Sequence, residues 1–172
     1  FIGVPTPMNI NDNGKIDTTI IDSVIDDIAS YDYEGVVISK STVTPSQLNN
    51  MAKRHPSLRL CMSPEYLIDA NPIEAFIEEP MIVVGSNREE DAQSVLDLFK
   101  EYSICKATQF FKCDLISAGI LKYMENCFLA LKVTFMNQMH SIHQLSGSTD
   151  SWDDLVEIFH GDPRMGNSHG KV

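Results

Sequence analysis

The chain has 172 residues, 43% of them hydrophobic, and these values predict a globular protein that is large enough for one core. Its formal net charge of -11 argues against nucleic acid or an anionic membrane as a partner. It contains no run of about 18 apolar residues and no basic leader before an apolar core, so it predicts neither a membrane span nor a secretory signal.

The first hundred residues alternate short apolar segments with amphipathic ones. Strands are predicted at 1–4, 35–39, 58–62 and 81–85, with a short one at 103–107. Helices are predicted at 18–30, 45–55 and 86–101, the last opened by a capping box between Ser86 and Glu89. Continuously apolar strands that alternate with helices predict an α/β fold with a mainly parallel sheet.

A long apolar-periodic run over residues 111–145 contains no proline and one glycine, and it predicts one long helix. Lys122 and Asn126 lie one turn apart on the same face of this helix. An ammonium and an amide stacked in this way can hold one oxygen of a substrate or intermediate. By itself, such a pair is more typical of a solvated helix face. A shorter helix is predicted around 152–159, followed by a loop.

Unusual residues follow three of the predicted strands. In an open parallel sheet, ligands bind beyond the carboxyl ends of the strands, so these residues predict a binding crevice. Each segment alone also has an ordinary explanation, such as Thr42 as a helix cap. The segments are Val4-Pro5-Thr6-Pro7 after the first strand, residues 39–43 after the second, and residues 63–66 with Asp69 after the third.

The cysteines and histidines do not predict a metal site. His140 and His143 form an HxxH pattern on the long helix, but no third ligand lies nearby, so polar surface or dimer packing is favoured over metal binding. The cysteines lack CxxC spacing and favour reduced thiols in a cytoplasmic protein. They are Cys61, Cys105, Cys113 and Cys127.

Taken together, these motifs resemble the nucleotide-sugar 6-dehydrogenases of the UDP-glucose/GDP-mannose dehydrogenase family, central portion only. The resemblance implies oxidation of a sugar C6 alcohol to a carboxylate, with two NAD+ and a thioester on a cysteine. It also implies the second half of a Rossmann-like NAD-binding domain at 1–108, then the long helix and an all-α dimerisation region at 109–172. The matching pieces are Val4-Pro5-Thr6-Pro7, Ser41-Thr42-Val43, Ser63-Pro64-Glu65-Tyr66-Leu67, Val84-Gly85, residues 122–130 and Asp162-Pro163-Arg164-Met165-Gly166.

The same resemblance assigns roles to individual residues. Lys122 and Asn126 would stabilise the oxyanion at C6, Glu65 would be the active-site glutamate, and Thr42 would help to hold the hydrolytic water. Arg164 would reach the nucleotide sugar of a neighbouring subunit in a homodimer built on the long helix. The NAD site would be lined by Val4, Pro5, Thr6, Pro7, Ser41, Thr42 and Asp69. The substrate would contact Glu65, Tyr66, Leu67, Lys122, Asn126 and Arg164.

The chain also departs from the family pattern. The GxGxxG fingerprint and the nucleophilic cysteine segment do not occur in it, and they are expected before Phe1 and after Val172. The 172 residues alone are therefore expected to be inactive. Gly119 stands where members commonly have a glutamate, which predicts an altered substrate preference. A non-catalytic dimerisation module and a β-hydroxyacid dehydrogenase are the alternative hypotheses.

Overall fold

A computed structural model describes residues 1–9, 14–66, 71–166 and 168. The chain divides into two compact units, residues 1–122 and 123–172. Within the described residues, no helix is long and apolar enough to cross a membrane. The same residues contain no cluster of histidine, cysteine and carboxylate side chains that could hold a metal ion.

The first unit is built on a four-stranded sheet, preceded by a small antiparallel pair of β1 (Met8–Asn9) and β2 (Lys15–Ile16). The strands of the larger sheet lie in the order in which they occur in the chain. They are β3 (Val36–Ser39), β4 (Arg59–Met62), β5 (Met81–Ser86) and β6 (Gln109–Cys113). The β3–β4 and β5–β6 pairs are parallel, whereas β4 and β5 are antiparallel. The predicted α/β class with a mostly parallel sheet is confirmed.

The predicted first strand is reduced to a single parallel bridge between Ile2 and Ser39. The Ile2 amide donates to the Ile38 carbonyl at 2.7 Å, and the Lys40 amide donates to the Ile2 carbonyl at 2.8 Å. These two bonds place residues 1–4 beside β3 and parallel to it, so that both segments leave the sheet at the same edge.

Helices cover both faces of the sheet. In the first unit they are α1 (Thr19–Ser30), α2 (Pro45–Arg54), α3 (Pro72–Ile77), α4 (Glu89–Tyr102) and the start of α5 (Leu115–Ser146). Neighbouring strand residues point to opposite faces, so Val37 packs with the residues of α1, α2 and α5, while Ile38 packs with those of α4. Strands β3 and β4 thus lie between two separate apolar layers, one on each face of the sheet.

Local details at two helix starts differ from the sequence prediction. The prediction of a capping box was wrong, because Ser86 belongs to β5 and its hydroxyl donates to the Leu60 carbonyl at 3.2 Å. Arg88 is the N-cap residue of α4 and makes no side-chain capping bond. The Arg88 amide instead donates to the Ser86 hydroxyl at 3.2 Å. Ser86 therefore ties the end of one strand to its neighbour.

The start of the long helix was also predicted too early, because Phe111 lies in β6. The predicted strand at 103–107 is found instead at Gln109–Cys113, where it pairs in parallel with β5. Asp114 then opens α5, since its carboxylate accepts the amides of Ile116 and Ser117, each at 2.9 Å.

The second unit consists of α5 from residue 123 onward, α6 (Trp152–His160) and the loop that follows. Gly147, with φ of 75°, provides the left-handed residue that ends α5. The rings of His140 and His143 lie 5.0 and 5.7 Å from the Trp152 ring. The HxxH pair thus packs an aromatic residue between the two helices.

Candidate active site

The loop 4–7 is fastened to the segment that follows β3. The Val4 amide donates to the Ser41 hydroxyl at 2.8 Å, and that hydroxyl donates to the Val4 carbonyl at 2.8 Å. The Thr6 hydroxyl donates to the Thr42 carbonyl at 2.7 Å. The structure therefore brings together the two segments for which the sequence predicted NAD contacts. Pro5 and Pro7 are exposed on this loop.

Thr42 does not cap α2. That position belongs to Thr44, whose hydroxyl accepts the Gln47 amide at 3.3 Å, with Pro45 in the first turn. Thr42 is half-buried between Ser41 and α2, at the edge of the sheet where β3 and β4 end. The ordinary structural explanation of Thr42, as a helix cap, is therefore wrong.

Glu65 and Lys122 meet at this edge. The segment 63–66 continues from β4, and the Lys122 ammonium donates a hydrogen bond to the backbone carbonyl of Glu65. The same ammonium lies 5.3 Å from the centre of the Tyr66 ring, a cation–π distance. Glu65, Tyr66 and Lys122 are each half-buried. A fixed ammonium and the backbone that carries Glu65 are thereby placed where the parallel strands β3 and β4 end.

Sequence reasoning missed Lys40, which lies next to both predicted segments. Its ammonium approaches the Ser63 carbonyl at 3.3 Å and the Phe99 ring centre at 5.7 Å. Burial lowers the pKa of Lys40, while the charges of Glu79 and Glu65 act in the opposite direction. A lysine directly after a buried strand end was the available signal.

Two predicted residues lie in the second unit. Asn126 is exposed on α5, and Arg164 is exposed on the loop after α6. The Arg164 guanidinium is paired with Asp162, its Nε lying 2.9 and 3.0 Å from the two carboxylate oxygens. The loop itself is held by Lys132, whose ammonium donates to the Met165 carbonyl at 3.3 Å. Predicted roles for Leu67 and Asp69 fall outside the described residues.

The residues around loop 4–7 fit an NAD cofactor in chemical terms. Pro5 and Pro7 have fixed backbone angles and present flat, uncharged surfaces, which suit contact with a planar ring. The loop is fastened to residues 41 and 42 by the hydrogen bonds of Val4 and Thr6. A buried Ser39 hydroxyl at the end of β3 has no hydrogen-bond partner among the described residues.

Comparisons with known proteins agree with this architecture. The NAD-binding domain of the UDP-glucose/GDP-mannose dehydrogenase family matches residues 1–103, and the central domain of the same family matches residues 116–171. The chain belongs to this family, and the resemblance predicted from its motifs is confirmed. NAD, the cofactor of the matched domain, is also the cofactor that the sequence predicted.

Individual relatives are moderately similar. The chain is 31% identical to a putative UDP-glucose 6-dehydrogenase of Bacillus subtilis, covering 96% of this chain and 39% of that protein. It is 30% identical to the UDP-glucose 6-dehydrogenase of Rickettsia conorii, covering 98% of this chain and 38% of that protein. The chain therefore spans well under half the length of these relatives.

Solved structures share the fold. A UDP-glucose dehydrogenase from the archaeon Pyrobaculum islandicum aligns with a TM-score of 0.81 and 23% identity, covering 96% of this chain and 39% of that one. A GDP-mannose dehydrogenase from Pseudomonas aeruginosa aligns with a TM-score of 0.79 and 22% identity, covering 93% and 38%. At these identities, the alignments establish the Rossmann-like fold.

Proposed function

We propose that this chain forms the central part of an NAD-dependent enzyme that oxidises the C6 hydroxyl of a UDP-glucose-like nucleotide sugar to a carboxylate. The observation that carries the proposal is the Lys122 ammonium held against the Glu65 segment at the edge of the sheet where β3 and β4 end. We assign residues 1–108 to the second half of the NAD-binding domain and residues 109–172 to the long helix and dimerisation region. The family matches, which end and begin at similar places, support this division.

In this proposal, each residue acts on the atoms around C6. Lys122 donates to the C6 oxygen as negative charge develops there, and Asn126 adds a second donor. Glu65 and Thr42 hold the water whose oxygen ends in the carboxylate. NAD+ supplies a hydride acceptor, and the overall change consumes two NAD+ and one water for each alcohol, giving two NADH and three protons. Arg164 contacts the nucleotide sugar that is bound by a second subunit.

The cysteines of this chain do not suit the nucleophile that the resemblance implies. Burial raises the pKa of the Cys61 thiol, and it raises that of Cys113 too. A nucleophilic cysteine needs the opposite shift. All four cysteines are free thiols, which supports a cytoplasmic location for the protein.

Steady-state kinetics of the full-length protein test the assignment of Lys122. With UDP-glucose and NAD+, absorbance at 340 nm should rise by two NADH for each sugar consumed. Lys122→Met should lower kcat by about 10²–10³-fold if the lysine acts as one oxyanion donor. NAD+ affinity, measured by calorimetry, should change little.

A matched control uses Lys53→Met, because Lys53 is an exposed lysine in the last turn of α2, at the opposite end of that helix from Thr44. The control variant should have the same kcat as the unaltered protein. The proposal fails if Lys122→Met and Lys53→Met have the same kcat, or if the protein gives no NADH with any nucleotide sugar.

We also propose a homodimer through α5. Met124, Phe128, Leu131 and Phe135 are exposed and follow a four-three-four spacing. This spacing is the heptad pattern of a helix that packs lengthwise against another helix. Such a stripe would otherwise leave a large apolar area in water. A second copy of the helix fits it because the pattern is complementary to itself.

Light scattering coupled to size exclusion tests the dimer. Phe128→Glu should shift the mass from two chains to one, because it puts a charge in the apolar stripe. Asn137→Glu is the control, since Asn137 is exposed on α5 outside the stripe. An unchanged mass for Phe128→Glu would refute the proposed interface.

A further inference from the structure

Two lysines hold the same short segment of backbone. Lys40 donates to the Ser63 carbonyl at 3.3 Å, and Lys122 donates to the Glu65 carbonyl. The two carbonyls belong to alternate residues of the segment 63–66, which carries Glu65. The two ammonium groups therefore restrain both ends of the stretch that presents this carboxylate.

Lys40 is itself fixed at several points. Its amide donates to the Ile2 carbonyl at 2.8 Å, and its ammonium faces the Phe99 ring at 5.7 Å. The amide of Ser63 donates to the carbonyl of Ser39, the residue before Lys40, at 2.9 Å. A backbone bond and a side-chain bond thus run in parallel from the end of β3 to the segment 63–66.

The charges around Lys40 come from several elements. Glu79, before β5, and Glu65, after β4, favour the ammonium form, while Lys122 on α5 disfavours it and Cys105 after α4 adds a smaller effect. Partial burial makes the hydrogen bond from an ammonium stronger than it would be in water. Loss of the Lys40 proton would remove that charge-assisted bond.

We propose that Lys40 is a positioning residue, whose ammonium fixes the path of segment 63–66 and so the direction of the Glu65 side chain. The contacts of Lys40 are with backbone and an aromatic ring, so it acts through the segment. The proposal rests on the proposed function only where it gives Glu65 a part in the reaction. The restraint of the segment can be tested without catalysis.

Residue-resolved amide hydrogen exchange on the 172-residue chain is the first test, with the Ser63 amide as reporter. Lys40→Met keeps the length of the side chain and removes the donor. It should speed exchange at Ser63 by about tenfold or more, the effect expected from a hydrogen bond to a charged group. The amides of β5 should not change, and Lys53→Met, at an exposed lysine in the last turn of α2, should leave Ser63 unchanged. Equal acceleration at Ser63 and throughout β5, or no acceleration at Ser63, would overturn the proposal.

The dependence on pH separates positioning from simple space-filling. In the unaltered chain, the Ser63 protection factor should fall as pH rises towards the ordinary lysine pKa of 10.5, because the lysine loses its proton. In Lys40→Arg, which stays charged, protection should persist over that range. A flat profile in the unaltered chain would overturn the proposal, and this measurement decides the matter even if Lys40→Met does not fold.

Kinetics of the full-length protein complete the test. Lys40→Met should lower kcat with little change in the KM for the nucleotide sugar, and Lys40→Arg should restore much of it. A faster Ser63 exchange without any change in kcat would sink the catalytic role of Glu65 and leave the positioning role intact. A loss of kcat without any change at Ser63 would overturn the positioning role.

Discussion

Replacing Gly85 by alanine should destabilise the first unit strongly. A Cβ at position 85 would lie 2.5 Å from the Ala118 Cβ, 2.7 Å from the Asp114 carbonyl oxygen and 3.2 Å from the Leu115 Cα. The first two distances fall short of ordinary contact by about 0.9 and 0.7 Å, an overlap that neither the Ala118 Cβ nor the Asp114 backbone oxygen can relieve by a side-chain rotation. The strand β5 and the start of α5 must separate instead. We expect a loss of about 3 kcal/mol, the upper end for overpacking.

Two other glycines provide matched controls for this substitution. Gly3→Ala meets nothing within 4 Å and should be nearly neutral. The Cβ of Gly119→Ala would lie 2.6 Å from the Leu48 Cδ1, the end of a flexible side chain, and in ordinary contact with Pro45 at 3.8 and 3.9 Å. Alanine also gains about 1 kcal/mol of helix propensity there, so the net change should be small.

Urea unfolding followed by circular dichroism, and thermal melts, measure these changes. For a chain of this size, Gly85→Ala should lower the melting temperature by on the order of 6 to 12 °C. A Gly85→Ala stability within about 0.5 kcal/mol of Gly3→Ala would refute the close approach of β5 and α5.

Two further substitutions test buried and capping carboxylates. Asp91 is fully buried and accepts hydrogen bonds from Arg59 at 2.8 and 2.6 Å, so Asp91→Ala should lower the free energy of unfolding in urea by about 3 kcal/mol. Asp97 is exposed on the same helix, and Asp97→Ala should cost under about 0.5 kcal/mol. Equal effects of the two substitutions would contradict a buried ion pair. Hydrogen bonds from the Ser117 hydroxyl and amide lower the pKa of Asp114 below its ordinary 3.8. The stabilisation is therefore present above pH 3.8 and is lost as pH falls through the lower folded pKa. Asp114→Ala should cost about 1 kcal/mol of stability at neutral pH and remove the loss of stability at low pH that Asp114 causes. Asp114→Asn should keep the cap and also remove this loss at low pH. The same loss of stability at low pH in both variants as in the unaltered chain would refute the assignment.

The site was only partly predictable from the sequence. Glu65 and Lys122 were each given a role at C6 because each lies in a recognisable motif, and the structure brings the Lys122 ammonium to the Glu65 backbone carbonyl. Their roles at C6 stay predictions. Lys40 was missed because a lysine after a strand is usually solvated, and its contacts with Ser63 and Phe99 come from distant parts of the chain. The roles of Asn126 and Arg164 stay predictions.

Sequence patterns alone determined the features that depend on neighbouring residues. The spacing of Ile21 and Ile25 set the buried face of α1, and Pro45 set the start of α2, because helix contacts repeat within a few residues. The tertiary structure alone decided that residues 109–113 form a strand and that β4 runs antiparallel to β5. Those choices depend on hydrogen bonds between segments more than twenty residues apart, which no local periodicity encodes.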